Sequence, residues 1–284
     1  MTRIGIIGLG RMGTAMAHRF ADQGADVIGW TRSGRRIEGV KSAPDLSTLV
    51  ASSDMLVLSL FDDTAVAEML DALLAEDLSG KLIVETSTVV PDVLREREQA
   101  LIAAGARAVD APISGGPELV LAGQCGIFIG GEAQTVQEAQ ARLTLLTERI
   151  FHVGPLGAGL VMKTINNAMI QAYFCGLNEL LPLAKRAGLS LETAANILAS
   201  GPAGTPMFAD RLPRLLGEDD SVGCAIEAVA KDADVFRRVV ETHGLPAPLL
   251  TLFGAQARAA VDAGLGGLDA ARMATAAYEN GAQD

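Results

Sequence analysis

Cysteine is scarce and scattered in this 284-residue chain: Cys125, Cys175 and Cys224 occur with no C-x-x-C pair. Three isolated thiols make no disulfide framework, and their spacing matches no zinc site. Each lies among apolar neighbours, so small buried hydrophobes are expected, in a reducing cytoplasm. His18, His152 and His243 also stand at no metal-ligand spacing and read as structural. Aromatic residues make up only 4%, so the core must come from Ala, Leu, Val and Ile. Positive charge is in deficit: 23 Lys and Arg face 34 Asp and Glu, for a net charge of −11. That balance repels phosphodiester backbones and excludes nucleic acid as an expected partner. No apolar run reaches the ~18–20 residues of a membrane span, so no membrane partner is expected. Low-complexity tracts are missing too. With 49% hydrophobic and 20% charged residues, the composition is that of a well-cored globular protein of one or two domains.

What the chain does have, at its start, is a glycine turn. The apolar run Ile4-Gly5-Ile6-Ile7 breaks into Gly8-Leu9-Gly10-Arg11-Met12-Gly13, and an amphipathic helix pattern (Ala15, Met16, Ala17, Phe20) follows at once. Strand, glycine turn and helix N-terminus together build a pyrophosphate site. Gly8 permits the tight turn, Gly10 lets backbone approach the phosphates, and Gly13 lets helix pack on strand. The helix dipole and its unpaired N–H groups favour the negative charge. A second strand, Asp26–Trp30, completes the unit. With the turn beginning at Gly8, no secretory leader is expected, in keeping with an expected cytoplasmic location.

The first half then alternates strand and helix. Met55–Leu60, Lys81–Thr86, Arg107–Ala111, Gly126–Ile129 and Arg149–Val153 read as strands. Leu46–Ser52, Thr64–Ala75, Val93–Ala104 and Ala133–Thr147 read as helices, with Pro91 tolerated near the first turn of the third. Continuous apolar strands between helices imply a parallel sheet covered on both faces. From Gly157 onward only helix patterns remain. Leu160–Leu181 predicts a helix of ~22 residues, about 33 Å long, which Pro182 should end or kink. Further helices are expected at Leu191–Leu198, Met207–Leu216, Ala225–Thr242, Pro248–Ala263 and Asp269–Ala277. The expected fold is thus an α/β Rossmann domain, doubly wound with a mostly parallel sheet (1–156), followed by an all-α domain (157–284). The reacting centre is expected in the cleft between them.

Three further segments can carry chemistry. In Asp110-Ala111-Pro112-Ile113-Ser114-Gly115-Gly116 a strand runs into two glycines, whose N–H groups suit a carboxylate, with the Ser114 hydroxyl as a further donor. In the long helix, Lys163 and Asn167 stand at i and i+4 and share a face. A helical lysine is ordinarily solvated, but this one lies among apolar residues at the expected domain junction. There an ammonium polarises a carbonyl and supplies a proton when hydride reaches carbon, and burial would lower its pKa. Lys231-Asp232 reads, from spacing alone, as a helix-surface pair. The carboxylate pairs Asp62-Asp63 and Asp219-Asp220 read as helix starts and solvated turns.

Taken in order, these segments and Glu85-Thr86-Ser87-Thr88 before Pro91 resemble the β-hydroxyacid dehydrogenase family nearly end to end. The resemblance implies Lys163 as catalytic acid/base with Asn167 as its substrate-orienting partner. Ser114, Gly115 and Gly116 resemble the substrate-carboxylate loop, and Lys231 the lysine closing over substrate and nicotinamide. Gly8, Leu9, Gly10, Arg11, Met12 and Gly13, with Leu60, Ser87 and Thr88, fall on the cofactor side. A homodimer or homotetramer through the long helix is implied as well. Two departures bear on substrate: Pro117-Glu118-Leu119-Val120 replaces the family's small Gly-Ala pair, and Gly201–Pro206 is unusually turn-rich.

After Trp30 come Thr31-Arg32-Ser33, with no acid to take the ribose hydroxyls of NAD. Arg32 and Ser33 can instead grip a 2′-phosphate, so NADP(H) is the expected cofactor, with NAD(H) usable. The expected activity interconverts a small β-hydroxyacid and its semialdehyde or keto acid. The alternatives are an imine reductase of the same fold, whose members generally replace the helix lysine, and a non-catalytic nucleotide-binding sensor.

Overall fold

Short runs of buried aliphatic residues set the frame of the first half. The structure, a computed structural model, describes residues 2–281. It divides into two compact units, Met1–Thr164 and Ile165–Asp284.

The first unit opens with β1 (Arg3–Ile7), α1 (Arg11–Asp22) and β2 (Asp26–Trp30). It continues through β3 (Lys41–Ser42), α2 (Leu46–Ala51), β4 (Met55–Leu58), α3 (Asp63–Leu73) and β5 (Leu82–Glu85). Then come α4 (Asp92–Arg95), α5 (Glu98–Ala103), β6 (Arg107–Asp110), β7 (Ile113–Ser114) and α6 (Pro117–Leu121). It closes with β8 (Gly126–Gly130), α7 (Ala133–Leu143), β9 (Ile150–Gly154) and the start of α8 (Ala158–Arg186). One sheet runs β3-β2-β1-β4-β5-β6-β8-β7, with β9 beside β8. The pairs from β3 to β6 are parallel; β8 runs antiparallel to both β6 and β7. The sheet is therefore mostly parallel and doubly wound. Alternation along each strand splits the core in two. Ile4, Ile6, Val57, Val84 and Val109 face Met16, Phe20, Val136 and Leu143. Ile7, Leu56, Leu58 and Ile83 face Leu49, Val66, Leu70, Leu94 and Leu101. Each such side chain fully buried stabilises the fold by about 1.5–3 kcal/mol.

One helix expectation fails here. The pattern from Val93 to Ala104 predicts a single helix, but the chain forms α4 and α5 with a break at 96–97. The Arg97 guanidinium takes the Val93 carbonyl (3.1 Å), the acceptor its own N–H would use in a continuous helix. That N–H bonds Leu94 O instead. Arg97 is also held sideways by Asp71 at 2.7 and 2.9 Å.

The second unit holds the rest of α8, then α9 (Leu191–Ser200), α10 (Pro206–Leu216), α11 (Ile226–Thr242), α12 (Pro248–Ala260) and α13 (Arg272–Asn280). Among its described residues the only β pairing is an isolated bridge between Ala225 and Asp269. Its core gathers Phe174, Leu177, Leu181, Phe208, Leu215, Phe236 and Phe253. Pro182 does not end α8. The helix continues one turn to Arg186 because Gly281 packs on Pro182, where any side chain would collide, and Arg186 Nε binds Gly281 O at 3.0 Å. α12 ends before the expected Ala263. A π turn over Val261–Leu265 follows, with Gly264 at φ 83°. Cys125 and Cys175 are buried, but Cys224 is partly exposed, in a loop held by Asp269. Among the described residues no helix is long and apolar enough to cross a membrane.

Candidate functional site

The strand order reverses between β1 and β4, and in doubly wound sheets ligands bind beyond the strand ends at such a switch. Gly8 follows β1 there with φ 95°, and a Cβ on it would overlap the Ser59 carbonyl. A Cβ on Gly13 would fall inside the Gly8 carbonyl. Gly10 differs: nothing lies within 4 Å of where its Cβ would be. Two glycines are required by packing, and the third keeps an open cradle at the α1 N-terminus. That terminus has no side-chain cap and no acid in its first turn, so its N–H groups suit an external anion. Leu9 is buried against Gly29, while Arg11 is exposed and Met12 half-buried. The residues fit a dinucleotide pyrophosphate.

Beside it, the ends of β4 and β5 are stitched together. The Leu60 N–H donates to Ser87 Oγ at 2.9 Å, and Thr86 Oγ1 donates to Leu58 O at 2.6 Å. Thr88 lies next in this turn, partly exposed. At the end of β2, Thr31 Oγ1 and Ser33 Oγ are 3.4 Å apart. Arg32 is exposed and paired with Glu68 at 3.1 Å, a solvated contact worth about 0–1 kcal/mol. Asp26 pairs with Lys41 at 2.6 Å, at the opposite end of the strand. No carboxylate of β2 therefore stands where an adenosine ribose is usually gripped.

Lys163 is 9% exposed, and its ammonium donates to Ile113 O at 2.6 Å. Burial of a charge is costly unless it is hydrogen-bonded, and this bond fixes where the charge sits. Ile113 leads directly into Ser114-Gly115-Gly116. Gly115 has φ 125°, and a Cβ on it would approach Leu119 Cδ1 to 3.0 Å. Gly116 caps α6 and is covered by the carboxylate tip of exposed Glu118. The segment Pro117–Leu121, which contains the first of the two substrate-side departures, is this short helix. Asn167, one turn beyond Lys163, accepts from Asn166 Nδ2 at 2.9 Å. In the second unit Lys231 pairs with Asp232 at 2.7 Å. The side chains are only 20% and 15% exposed, so this is no surface pair.

Two acids escaped notice as functional. Asp110 Oδ1 accepts the Gly157 N–H at 2.6 Å and Oδ2 the Leu160 N–H at 2.8 Å, anchoring the start of the helix that carries Lys163. Desolvation pushes its carboxyl up, and those N–H groups oppose the shift. Glu85 is fully buried, and desolvation raises its carboxyl to about 7 against the bond from Ser87. The available signal was position: Glu85 is the acidic last residue of an otherwise apolar buried strand, and Asp110 ends its strand directly after buried Val109. Burial raises the Cys125 thiol to about 11, so it is no nucleophile near neutrality. Among the described residues no cluster of three or more His, Cys, Asp or Glu could hold a metal ion.

The chain is similar to known proteins over most of its length. Residues 3–154 match the family model for the NAD binding domain of 6-phosphogluconate dehydrogenase. Residues 157–277 match the one for NAD-binding of NADP-dependent 3-hydroxyisobutyrate dehydrogenase. The NAD-dependent L-serine dehydrogenase of Pseudomonas aeruginosa is 28% identical over 270 residues, 89% of this chain and 90% of that one. The mitochondrial 3-hydroxyisobutyrate dehydrogenase of Drosophila melanogaster is 27% identical over 279 residues, 94% and 86% of the two chains. A Mycobacterium tuberculosis 3-hydroxyisobutyrate dehydrogenase, solved with L-serine, shares the fold with a TM-score of 0.85 at 24% identity, covering 97% of this chain and 99% of that one. From its glycine turn to its last helices, this chain belongs to the β-hydroxyacid dehydrogenase family, NAD(P)-dependent oxidoreductases acting on CH–OH.

Proposed function

We propose that this chain interconverts a small β-hydroxyacid and its semialdehyde or keto acid, with NADP(H) preferred and Lys163 as general acid/base. The observation that carries the reading is the buried Lys163 ammonium, bonded to Ile113 O immediately before Ser114-Gly115-Gly116. It brings a side chain suited to protonate a substrate oxygen to the start of the loop suited to hold a carboxylate. Ser114, Gly115 and Gly116 bind that carboxylate, Asn167 orients the reacting oxygen, and Lys231 closes over the substrate. Gly8, Leu9, Gly10, Arg11, Met12 and Gly13 hold the pyrophosphate; Leu60, Ser87, Thr88 and Lys231 bound the nicotinamide end. Thr31, Arg32 and Ser33 take the 2′-phosphate, supported by the lack of an acid at the end of β2.

The bound nicotinamide supplies hydride to, or takes it from, the carbon carrying the reacting oxygen. In reduction Lys163 gives its proton to the oxygen as negative charge develops there; in oxidation it takes the hydroxyl proton back. The bond to Ile113 O keeps the amine pointed at one place, so little reorientation is needed between the two. Residues 1–156 and 157–284 are the two functional domains of this reading, in a cytoplasmic enzyme. Ile165, Met169, Leu180 and Leu183 form one exposed apolar line on α8, each 55–69% accessible. That line supports a homodimer or homotetramer.

The test is a screen of small hydroxyacids and semialdehydes with both cofactors, read by nicotinamide absorbance. Lys163→Ala should lower kcat about 10²–10⁴-fold while nucleotide affinity stays within a few-fold; retained turnover removes the mechanism. Arg32→Ala should cut the NADP over NAD preference about tenfold or more. Equal turnover with NADH, unchanged in that variant, removes the preference. Nucleotide binding with no turnover on any member of the screen would favour the sensor reading.

A further inference from the structure

Two buried carboxyl groups stand side by side at the carboxyl edge of the sheet, and the mechanism above uses neither. Glu85 ends β5, Asp110 ends β6, and the two are register partners on parallel strands. Both are 0% exposed. Register partners project to the same face of a sheet, so ionising both would place two negative charges together in a poorly screened interior. The pair therefore keeps one proton to higher pH than an isolated carboxyl would. The surrounding donors decide which carboxyl keeps it. Asp110 receives two N–H groups from the positive end of α8, and Arg95 of α4 adds its field. Glu85 accepts from Ser87 N on Oε1, while Oε2 is buried with no hydrogen-bond partner. On its other side β4 (Met55-Leu56-Val57-Leu58) brings no titratable side chain. Lys163 of α8 is directed to Ile113 O. The proton therefore resides on Glu85, whose carboxyl burial raises to about 7, within the working range of a cell.

Glu85 is also tied to the cofactor side. Its carboxyl holds the Ser87 N–H, and Ser87 Oγ in turn holds Leu60. We propose that Glu85 reads the redox state of the bound nicotinamide: ionised, it favours the oxidised, cationic ring over the reduced, neutral one, and it releases its proton to solvent when the oxidised form binds. The inference rests on the assignment of Ser87 and Thr88 to the nicotinamide end. The two cofactor forms differ by one ring charge, and a buried anion attracts that charge far more strongly than water would allow. Linkage makes the effect reciprocal: whatever factor ionised Glu85 adds to NADP⁺ affinity, bound NADP⁺ adds to Glu85 acidity. Glu85 touches no reacting atom and is a positioning residue.

The experiment is calorimetric titration of the wild-type enzyme with NADP⁺ and NADPH at pH 6, 7 and 8, in buffers of different ionisation enthalpy. The ratio of the two affinities cancels the phosphates, which both forms share. The NADP⁺/NADPH Kd ratio should fall about three- to tenfold from pH 6 to pH 8, and NADP⁺ should release a few tenths of a proton more than NADPH at pH 7. Glu85→Gln, neutral at every pH and still able to accept from Ser87 N, should give a flat ratio and no extra proton. A pH-independent ratio in the wild type overturns the proposal. So does a slope that survives in Glu85→Gln, which would belong to Lys163. Should that variant fail to fold, carbon NMR titration of the wild-type glutamate carboxyls decides. One carboxyl titrating near neutrality and moving to lower pH with NADP⁺ supports the proposal; full ionisation of all of them across pH 6–8 ends it. If neither nucleotide binds the wild type, the cofactor reading itself fails and takes this inference with it. Tight binding with a flat ratio removes the inference alone.

Discussion

Two glycine turns lie at the carboxyl edge of the first unit, and they are built on opposite principles. In the turn from Gly8 to Gly13, a side chain at either end would run into main-chain carbonyl groups. In the turn from Ser114 to Gly116, the atoms that crowd Gly115 and Gly116 belong chiefly to the side chains of Leu119 and Glu118. Main chain inside a buried sheet cannot step aside; the tip of an exposed glutamate can. The first turn is therefore dictated by the packing of β1, α1 and β4; in the second, Gly115 is held to glycine by its backbone (φ 125°), but the space at Gly116 is set by a replaceable side chain. A dinucleotide pyrophosphate is a constant ligand and suits the rigid turn. A substrate acid varies across a family, and a turn shaped by replaceable side chains is where such variation can be accommodated.

The comparison is broken most directly at Gly13. Gly13→Ala should destabilise the fold by about 4 kcal/mol and weaken nucleotide binding at least about tenfold. Urea unfolding and calorimetric titration read the two effects. A variant of native stability and affinity would show that the first turn is as adaptable as the second.

Asp110→Asn follows in size. The carboxylate accepts two N–H groups at the start of α8, and an amide must turn its NH₂ toward one of them. A cost of about 3 kcal/mol is expected, with a lower kcat because Lys163 stands one turn further along the helix. Urea unfolding and steady-state kinetics at saturating nucleotide check both parts.

These two residues also mark what could be read from the sequence. The Rossmann unit was legible because buried parallel strands are continuous aliphatic runs, as in Met55–Leu58 and Leu82–Glu85, and the glycine turn sits between a strand and a helix. Helix ends set by tertiary contacts were not legible. Pro182 is carried through because Gly281 packs on it, and the 93–104 helix breaks because Arg97 reaches Asp71, a residue 26 positions away. At the candidate site, Lys163 and the Ser114–Gly116 loop were visible as separate segments, but their bond through Ile113 O was not. Glu85 and Asp110 stayed unassigned because a strand-terminal acid gives no sign of whether it turns outward or is buried beside another.

Glu85 supplies a smaller effect with a definite sign. Burial pushes its folded-state carboxyl up to about 7, above the ordinary carboxylate range, so the folded chain holds this proton more tightly than the unfolded chain. The penalty is absent below the unfolded value, grows as pH rises between the two, and is complete above 7. From this group alone the wild type should lose about 2–3 kcal/mol between pH 5 and pH 8. Asp110 shifts in the same direction, whereas Asp54, Asp71 and Asp234 are lowered and stay ionised throughout that window. The difference between wild type and Glu85→Gln in urea unfolding at the two pH values isolates the contribution of this carboxyl. Parallel losses in both proteins would mean that Glu85 is ionised in the folded state.

The smallest effect sharpens the comparison from the other side. Gly116 has extended backbone, φ −85° and ψ 178°, which any residue adopts. The three atoms nearest to a methyl group there all belong to the Glu118 carboxylate tip. Gly116→Ala should therefore cost less than about 0.5 kcal/mol of stability, because Glu118 is exposed and free to swing outward. Its effect should fall instead on substrate. A methyl group at the head of α6 narrows the loop proposed for the carboxylate, raising KM a few-fold while kcat and nucleotide affinity hold. A loss of stability as large as that of Gly13→Ala would mean Glu118 is locked over the loop, and the two turns would share one design.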